Sequence, residues 1–263
     1  MKICFSTLGC YDYSFEKILD VAEKYGSPVL EVRGVNSEID HFKIPEFAPE
    51  STESTMKLLA DRGISLYGLG TTCSFHSAEK LESMIEDAKK SILLAKRLGF
   101  SYIRVFGNKL TEDREECFRR VGDALSCVSD FAKEQGIKVL LEIHGDYTSP
   151  ETVKPLLDIV GGNEAFGIIW DIANTKDVAG EGWRSLYELI RPYMLHVHVK
   201  DITAEGGVAF PGEGIVPLVP IVRAIVADGY DGYFSFEWEK KWHPEIGDME
   251  PAFEKMIEII SNI

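Results

Sequence analysis

Leu195-His196-Val197-His198-Val199-Lys200-Asp201 alternates apolar and polar residues from end to end. That period of two is the pattern of a β-strand with one buried face and one chemically loaded face. His196, His198 and Lys200 share a face, and two imidazoles and an ammonium make a poor hydrophobic core. The face is therefore expected to serve a site, with partners drawn from elsewhere in the chain.

Seven more short segments read as strands: Ile3 to Thr7, Val29 to Val32, Ser65 to Leu69, Tyr102 to Phe106, Lys138 to Ile143, Phe166 to Asp171 and Tyr233 to Glu237. They are rich in Val, Ile and aromatics and short enough for buried strands. Together with Met194 to Val199 they make eight. Helical patterns lie between them: Ser14 to Tyr25, Glu50 to Arg62, Ala78 to Leu98, Arg114 to Gln135, Pro150 to Val160, Trp183 to Ile190, Pro217 to Asp228 and Pro251 to Ile260. Gly26, Gly63, Gly99, Gly136, Gly161 and Gly229 each fall just past a helical pattern, where a left-handed residue is wanted. Ser149-Pro150 supplies a cap followed by proline at the first helical position. Eight strand-then-helix units predict an α/β fold, a single-domain (β/α)8 TIM barrel over residues 1–263, ahead of an open doubly wound sheet. No linker or low-complexity tract divides the chain.

With 45% apolar residues the chain can bury a large core, and 28 Lys plus Arg against 43 Asp plus Glu give a net charge of −15. Such a field repels polyanions, so neither nucleic acid nor an anionic membrane is an expected partner. The five cysteines are odd in number and form no Cys-x-x-Cys pair, which suits a reduced, cytoplasmic setting. The apolar run at Met1-Lys2-Ile3-Cys4-Phe5 is too short for a signal peptide, and no stretch approaches the roughly 18 apolar residues of a membrane span.

Active sites of this fold lie at the C-terminal ends of the strands. Those positions hold Arg33, Arg104, Glu142, His144, Asp171, His198, Lys200 and Glu237. Three carboxylates at about 4 Å would repel by about 4 kcal/mol per pair at an effective dielectric of 20. Either their pKa values rise sharply or a divalent cation sits among Glu142, Asp171, His198 and Glu237. Three oxygen donors and one imidazole suit Mn²⁺, Co²⁺ or Mg²⁺, with Zn²⁺ also admissible.

Leu141-Glu142-Ile143-His144, Trp170-Asp171-Ile172-Ala173-Asn174, His196-Val197-His198-Val199-Lys200-Asp201, Gly212-Glu213-Gly214 and Phe236-Glu237-Trp238-Glu239 give the chain a resemblance. It resembles the xylose isomerase-like TIM-barrel superfamily, the sugar phosphate isomerase/epimerase group, over its whole length. The resemblance implies one divalent metal held by Glu142, Asp171, His198 and Glu237. It also implies that Glu142 and Glu237 flank the substrate, one removing the proton next to a carbonyl and the other returning it through a metal-stabilised enediolate. The expected activity is that of a metal-dependent isomerase or epimerase of a sugar or sugar phosphate in carbohydrate metabolism. The alternative is a lyase, like the inosose or dehydroshikimate dehydratases of the same superfamily. A barrel that only binds a metabolite is a third reading. Relatives often form homo-oligomers, so self-association is a further expectation. The tri-zinc apurinic endonucleases of the superfamily carry a His where Asn174 stands and more histidines after the seventh strand. With six histidines in the whole chain, DNA repair is not expected.

Five residues are expected to contact substrate. His144 lies two residues past Glu142 on the same face, and Asn174 matches a position that touches substrate in the family. Lys200 could hold an anionic or carbonyl oxygen or neutralise the carboxylates. Arg104 could meet a phosphate or pair with Glu142 or Asp171, and Arg33 could pair with Glu31. Trp242 could stack on a sugar ring, near Lys240 and Lys241 as phosphate attractors, on a charged solvated loop. Gly212-Glu213-Gly214 reads as a flexible loop. Phe75 and Trp238 read as apolar walls or core, while His41 and His76 have no assignment. Two-residue steps advance about 6.6 Å along a parallel strand. His196 is thus expected one layer deeper than His198, bonded to a ligand carboxylate.

Overall fold

The computed structural model describes residues 1–111 and 113–263. In chain order the first half holds β1 (Lys2–Phe5), α1 (Phe15–Lys24), β2 (Val29–Val32), α2 (Thr52–Asp61), β3 (Ser65–Ser74), α3 (Leu81–Leu98), β4 (Tyr102–Phe106) and α4 (Arg114–Gln135). The second half holds β5 (Lys138–Glu142), α5 (Pro150–Val160), β6 (Phe166–Asp171), α6 (Gly182–Ile190), β7 (Met194–Val199), β8 (Asp201–Ile202), β9 (Val208–Ala209), α7 (Leu218–Ala227), β10 (Tyr233–Phe236) and α8 (Met249–Ser261). Eight parallel strands form one sheet in the order β1-β10-β7-β6-β5-β4-β3-β2, and surrounding helices complete a nearly closed barrel. Ser6, just past β1, bridges Glu31 of β2 in parallel, so the two edges of the sheet meet. This is the (β/α)8 architecture expected from the alternating pattern.

By contact density the chain forms two compact units, residues 1–67 with 196–263, and residues 68–195. In the first, β1 pairs with β10 from Lys2 opposite Tyr233 to Phe5 opposite Phe236, and β10 pairs with β7 so that Ser235 lies beside His198. Phe5, Phe236 and Phe253 pack ring on ring outside these strands, with Phe236 and Phe253 stacked at 5.6 Å. In the second, β4 and β5 pair from Tyr102–Lys138 to Phe106–Glu142, and β5 pairs with β6. All four residues of β2 and all six of β6 are buried, as expected of strands covered on both faces.

Helix punctuation follows local chemistry. Ser14 caps α1 by accepting from the Lys17 N–H, which satisfies an otherwise orphaned donor. Gly99 and Gly136 close α3 and α4 with φ of 76° and 74°. Gly161 is different: its φ is −61°, so it is not the left-handed terminator expected. A Cβ there would lie 2.5 Å from the Leu157 carbonyl and 2.9 Å from the Tyr193 ring, so close approach, not handedness, demands glycine. Pro155 sits inside α5, which nevertheless begins at Pro150 behind a Ser149–Thr152 capping box.

Two differences from the sequence reading concern strands. β3 runs on to Ser74, with a register shift against β4 between Gly70 and Ser74. The glycines and threonines of Gly68-Leu69-Gly70-Thr71-Thr72 hide that continuation. β8 and β9 form a small antiparallel ribbon after β7, and two-residue strands are too short to show a period.

Candidate functional site

His196 and His198 point inward from β7, and both meet Glu31 of β2. His198 Nε2 lies 2.8 Å from Glu31 Oε1, and His196 Nε2 lies 3.0 Å from Glu31 Oε2. All three are buried, at 0%, 0% and 1% exposure. Burial lowers the His196 pKa, so its imidazole is neutral at pH 7. Burial alone would raise the Glu31 carboxyl, but the His198 and His196 N–H groups facing it outweigh burial and hold it well below the usual range. A carboxylate only accepts, so each imidazole presents a protonated Nε2 to it. The Nδ1 of His198 lies 3.7 Å from Glu237 Oε1, beyond hydrogen-bond reach.

Glu237 follows β10 and is buried. Lys200, one residue past β7, donates to Glu237 Oε2 at 3.1 Å and to Glu239 Oε1 at 2.5 Å. Asp201, the first residue of β8, ties down a loop. Its two oxygens accept from the N–H groups of Ile202, Gly212, Gly214 and Val216 at 2.9–3.1 Å. A Cβ on Gly214 would fall 2.2 Å from Asp201 Oδ1. The Gly212-Glu213-Gly214 segment is thus a pinned turn and not the flexible loop its composition suggests.

In residues 68–195, Arg104 of β4 donates through Nη1 to Glu142 Oε2 at 2.9 Å and through Nη2 to the Thr71 carbonyl at 3.1 Å. The guanidinium lies over the Phe106 ring. Its pairing with Glu142 is one of the two roles expected for it. Asp171, the last residue of β6, accepts from the Ala173 N–H at 3.0 Å and from Asn174 Nδ2 at 2.7 Å. Asn174 Nδ2 also lies 3.3 Å from the Ile143 carbonyl. Trp170 Nε1 donates to Thr175 Oγ1 at 2.9 Å, fixing the turn that carries Asn174. His144 is half-buried, its Nδ1 3.2 Å from Asn108 Oδ1 and its ring beside Phe106.

Glu142, Asp171, His198 and Glu237 each offer one ligand atom, and those four atoms lie within 4.8 Å of one another. All four residues are buried. These four are the ligand set that the sequence reading expects. Arg104, Lys200 and Asn174 each touch one of its carboxylates, and His144 lies two residues beyond Glu142. Glu31, His196 and His198 also lie within 4.8 Å, but their close contacts are hydrogen bonds among themselves.

The other readings resolve differently. Trp242 is 52% exposed, as a solvated loop residue would be. Lys240 bonds Asp248 at 2.9 Å and Asp12 at 3.1 Å, and Lys241 lies over the Tyr11 ring. Phe75 and Trp238 are buried, the latter stacked on Phe236. The bond of His196 goes to Glu31 and not to a ligand carboxylate as expected. Glu31 is thereby engaged with two histidines, while Arg33 Nη1 donates to the Ile39 carbonyl. Glu31 is named by the sequence reading only as a partner for Arg33. Its signal was a carboxylate at an interior position of Val29-Leu30-Glu31-Val32.

Residues 17–262 match the family described as xylose isomerase-like TIM barrel. A curated relative, the inosose dehydratase of Serratia proteamaculans strain 568, is 24% identical over 149 residues, 48% of this chain and 49% of that protein. The match thus spans about half the length of the curated relative. Among solved structures, the IolI protein with a binding zinc atom superposes with a TM-score of 0.82 at 19% identity, covering 100% of this chain and 99% of that one. A D-tagatose 3-epimerase-like protein gives 0.74 at 19% identity, with coverage of 100% and 99%.

Proposed function

The chain belongs to the xylose isomerase-like TIM-barrel family, and on that premise we propose that it is a divalent-metal-dependent isomerase or epimerase of small polyhydroxy carbonyl compounds. The observation that carries the reading is the buried set of three carboxylates and one imidazole with ligand atoms within 4.8 Å. The set fits a metal ion. His198 Nδ1 and Glu237 Oε1 face each other across 3.7 Å, too far to bond directly and suited to sharing a cation. Three oxygens and one nitrogen accommodate Mn²⁺, Co²⁺, Mg²⁺ or Zn²⁺. When bound, such an ion stabilises the negative charge that develops on a carbonyl oxygen as a proton leaves the neighbouring carbon.

The protein's own groups would do the proton work. Glu142 and Glu237 are carboxylates, each against a buried cation, Arg104 and Lys200 respectively. One takes the proton from carbon and the other returns it. Asn174 and His144 are the side chains proposed to meet substrate hydroxyls. Arg104 is engaged with Glu142 and the Thr71 carbonyl, so an unphosphorylated substrate suits the site better than a phosphate.

One observation favours a second reading, dehydration of a polyol ketone. The Lys200 ammonium stands 3.1 Å from Glu237, where an acid beside the base could protonate a departing hydroxyl. The name of the curated relative, inosose dehydratase, points the same way. Incubating the metal-loaded protein in D₂O with a panel of ketoses and inosose separates the two. Deuterium incorporated into an epimer supports the first reading, and loss of water supports the second. Glu237→Gln should retain metal yet lose at least about a thousandfold in turnover, the upper part of the range for an acid–base group. Full turnover in that variant would refute the assignment.

A further inference from the structure

Glu31 lies outside the four-residue ligand set, yet it touches one of its members. Three observations define its role. It is 1% exposed, so it serves no solvent-facing purpose. Both its oxygens are in use, Oε1 with His198 at 2.8 Å and Oε2 with His196 at 3.0 Å. The carboxylate is therefore gripped from two sides and does not rotate without losing a bond. The two imidazoles meet edge to face, their planes at 87° and centroids 5.4 Å apart, so each approaches its own oxygen.

We infer that Glu31 is a positioning residue for the metal ligand His198: by accepting the Nε2–H it locks the imidazole into the tautomer whose Nδ1 lone pair faces Glu237. The inference rests on the metal-dependent reading above and deepens it. The chemistry is that of a ligating imidazole oriented through its other nitrogen by a carboxylate. It also accounts for the His196-x-His198 spacing on β7. Two-residue steps put both rings on the inner face, and His196 is the second hold on Glu31.

An amide cannot replace this carboxylate. Gln has one acceptor oxygen and one NH₂ donor. One imidazole could keep its N–H bond to the oxygen, while the other would face the NH₂ and have to present a lone pair. Glu31→Gln should therefore disturb the His196 and His198 tautomers although it preserves shape.

The test uses the full chain and four proteins: wild type, Glu31→Gln, Glu31→Ala and Leu30→Ala. Leu30 is buried on the same strand and controls for general destabilisation. Long-range ¹H–¹⁵N NMR of the metal-free protein reads the histidine tautomers, and titration with Mn²⁺ and Zn²⁺ alone reads affinity. Wild type should show a single His198 tautomer protonated at Nε2. Both Glu31 variants should bind metal roughly 10–100-fold more weakly, whereas Leu30→Ala should melt earlier yet bind within about threefold. A His198 protonated at Nδ1, or Glu31 variants within threefold of wild type, would overturn the inference alone. A wild-type protein that takes up no divalent metal would remove the underlying reading, and the inference with it.

Discussion

Replacing Arg104 by methionine removes a buried cation while keeping most of the side-chain volume. Arg104 is 4% exposed and Glu142 2%, so water cannot compensate either group. The substitution removes one charge-assisted bond at 2.9 Å and one bond to the Thr71 carbonyl at 3.1 Å. These are worth about 1.5–3 and about 0.5–1.5 kcal/mol respectively. It also takes away the cation beside the buried Glu142 carboxylate, which brings the total into the range of about 3–5 kcal/mol for a broken buried pair. That range corresponds to a melting point lower by roughly 6–20 °C. The metal state matters, because a divalent ion at Glu142 supplies the missing positive charge. Urea unfolding followed by circular dichroism, once with a chelator and once with excess Mn²⁺, should show the loss shrink by about 1–2 kcal/mol when metal is present. Linkage then requires the variant to bind metal about tenfold more tightly than wild type, since 1.4 kcal/mol is a factor of ten. A metal-free loss below about 1 kcal/mol, against the expected 3–5, would refute the reasoning. So would a loss that is the same with and without metal.

Asp201→Ala removes the acceptor for four backbone N–H groups. It should destabilise by about 2–4 kcal/mol and expose the 203–216 segment to proteases, and an unchanged cleavage rate would contradict the pinned-turn account. Lys240 depresses the Asp248 pKa below its ordinary value of 3.8, chiefly through their hydrogen bond. A carboxylate with a depressed folded-state pKa contributes stability above the unfolded value and loses it as pH falls through the folded one. The side chain is 66% exposed, so Asp248→Asn should cost only about 0.5 kcal/mol at pH 7. That difference should vanish in acid below the depressed pKa, and a gap persisting at pH 2 would argue against the pair.

Much of this was legible because β5 and β6 are short apolar runs closed by one titratable group and Glu237 directly follows β10. Leu140-Leu141-Glu142 and Ile169-Trp170-Asp171 announce both the element and the end at which chemistry sits. Alternation along β7 likewise put His196 and His198 on one buried face. Partner identity was hidden. Glu31 is 165 residues from His196, and nothing local in Val29-Leu30-Glu31-Val32 says which side chain lies across the barrel. Gly212-Glu213-Gly214 misled in the other direction. Glycines at 212 and 214 look mobile by composition, yet there they leave room for a carboxylate that binds the turn. Gly161 shows the same ambiguity, since glycine after a helix can mean handedness or close approach.

The central claim is that Glu142, Asp171, His198 and Glu237 hold one divalent cation. The direct measurement is the metal content of the purified chain after loading with Mn²⁺ or Zn²⁺ and removal of excess, alongside His198→Ala. The account predicts one ion per wild-type chain and far less than one in the variant. A wild-type stoichiometry near zero, or an unchanged value in His198→Ala, would contradict it.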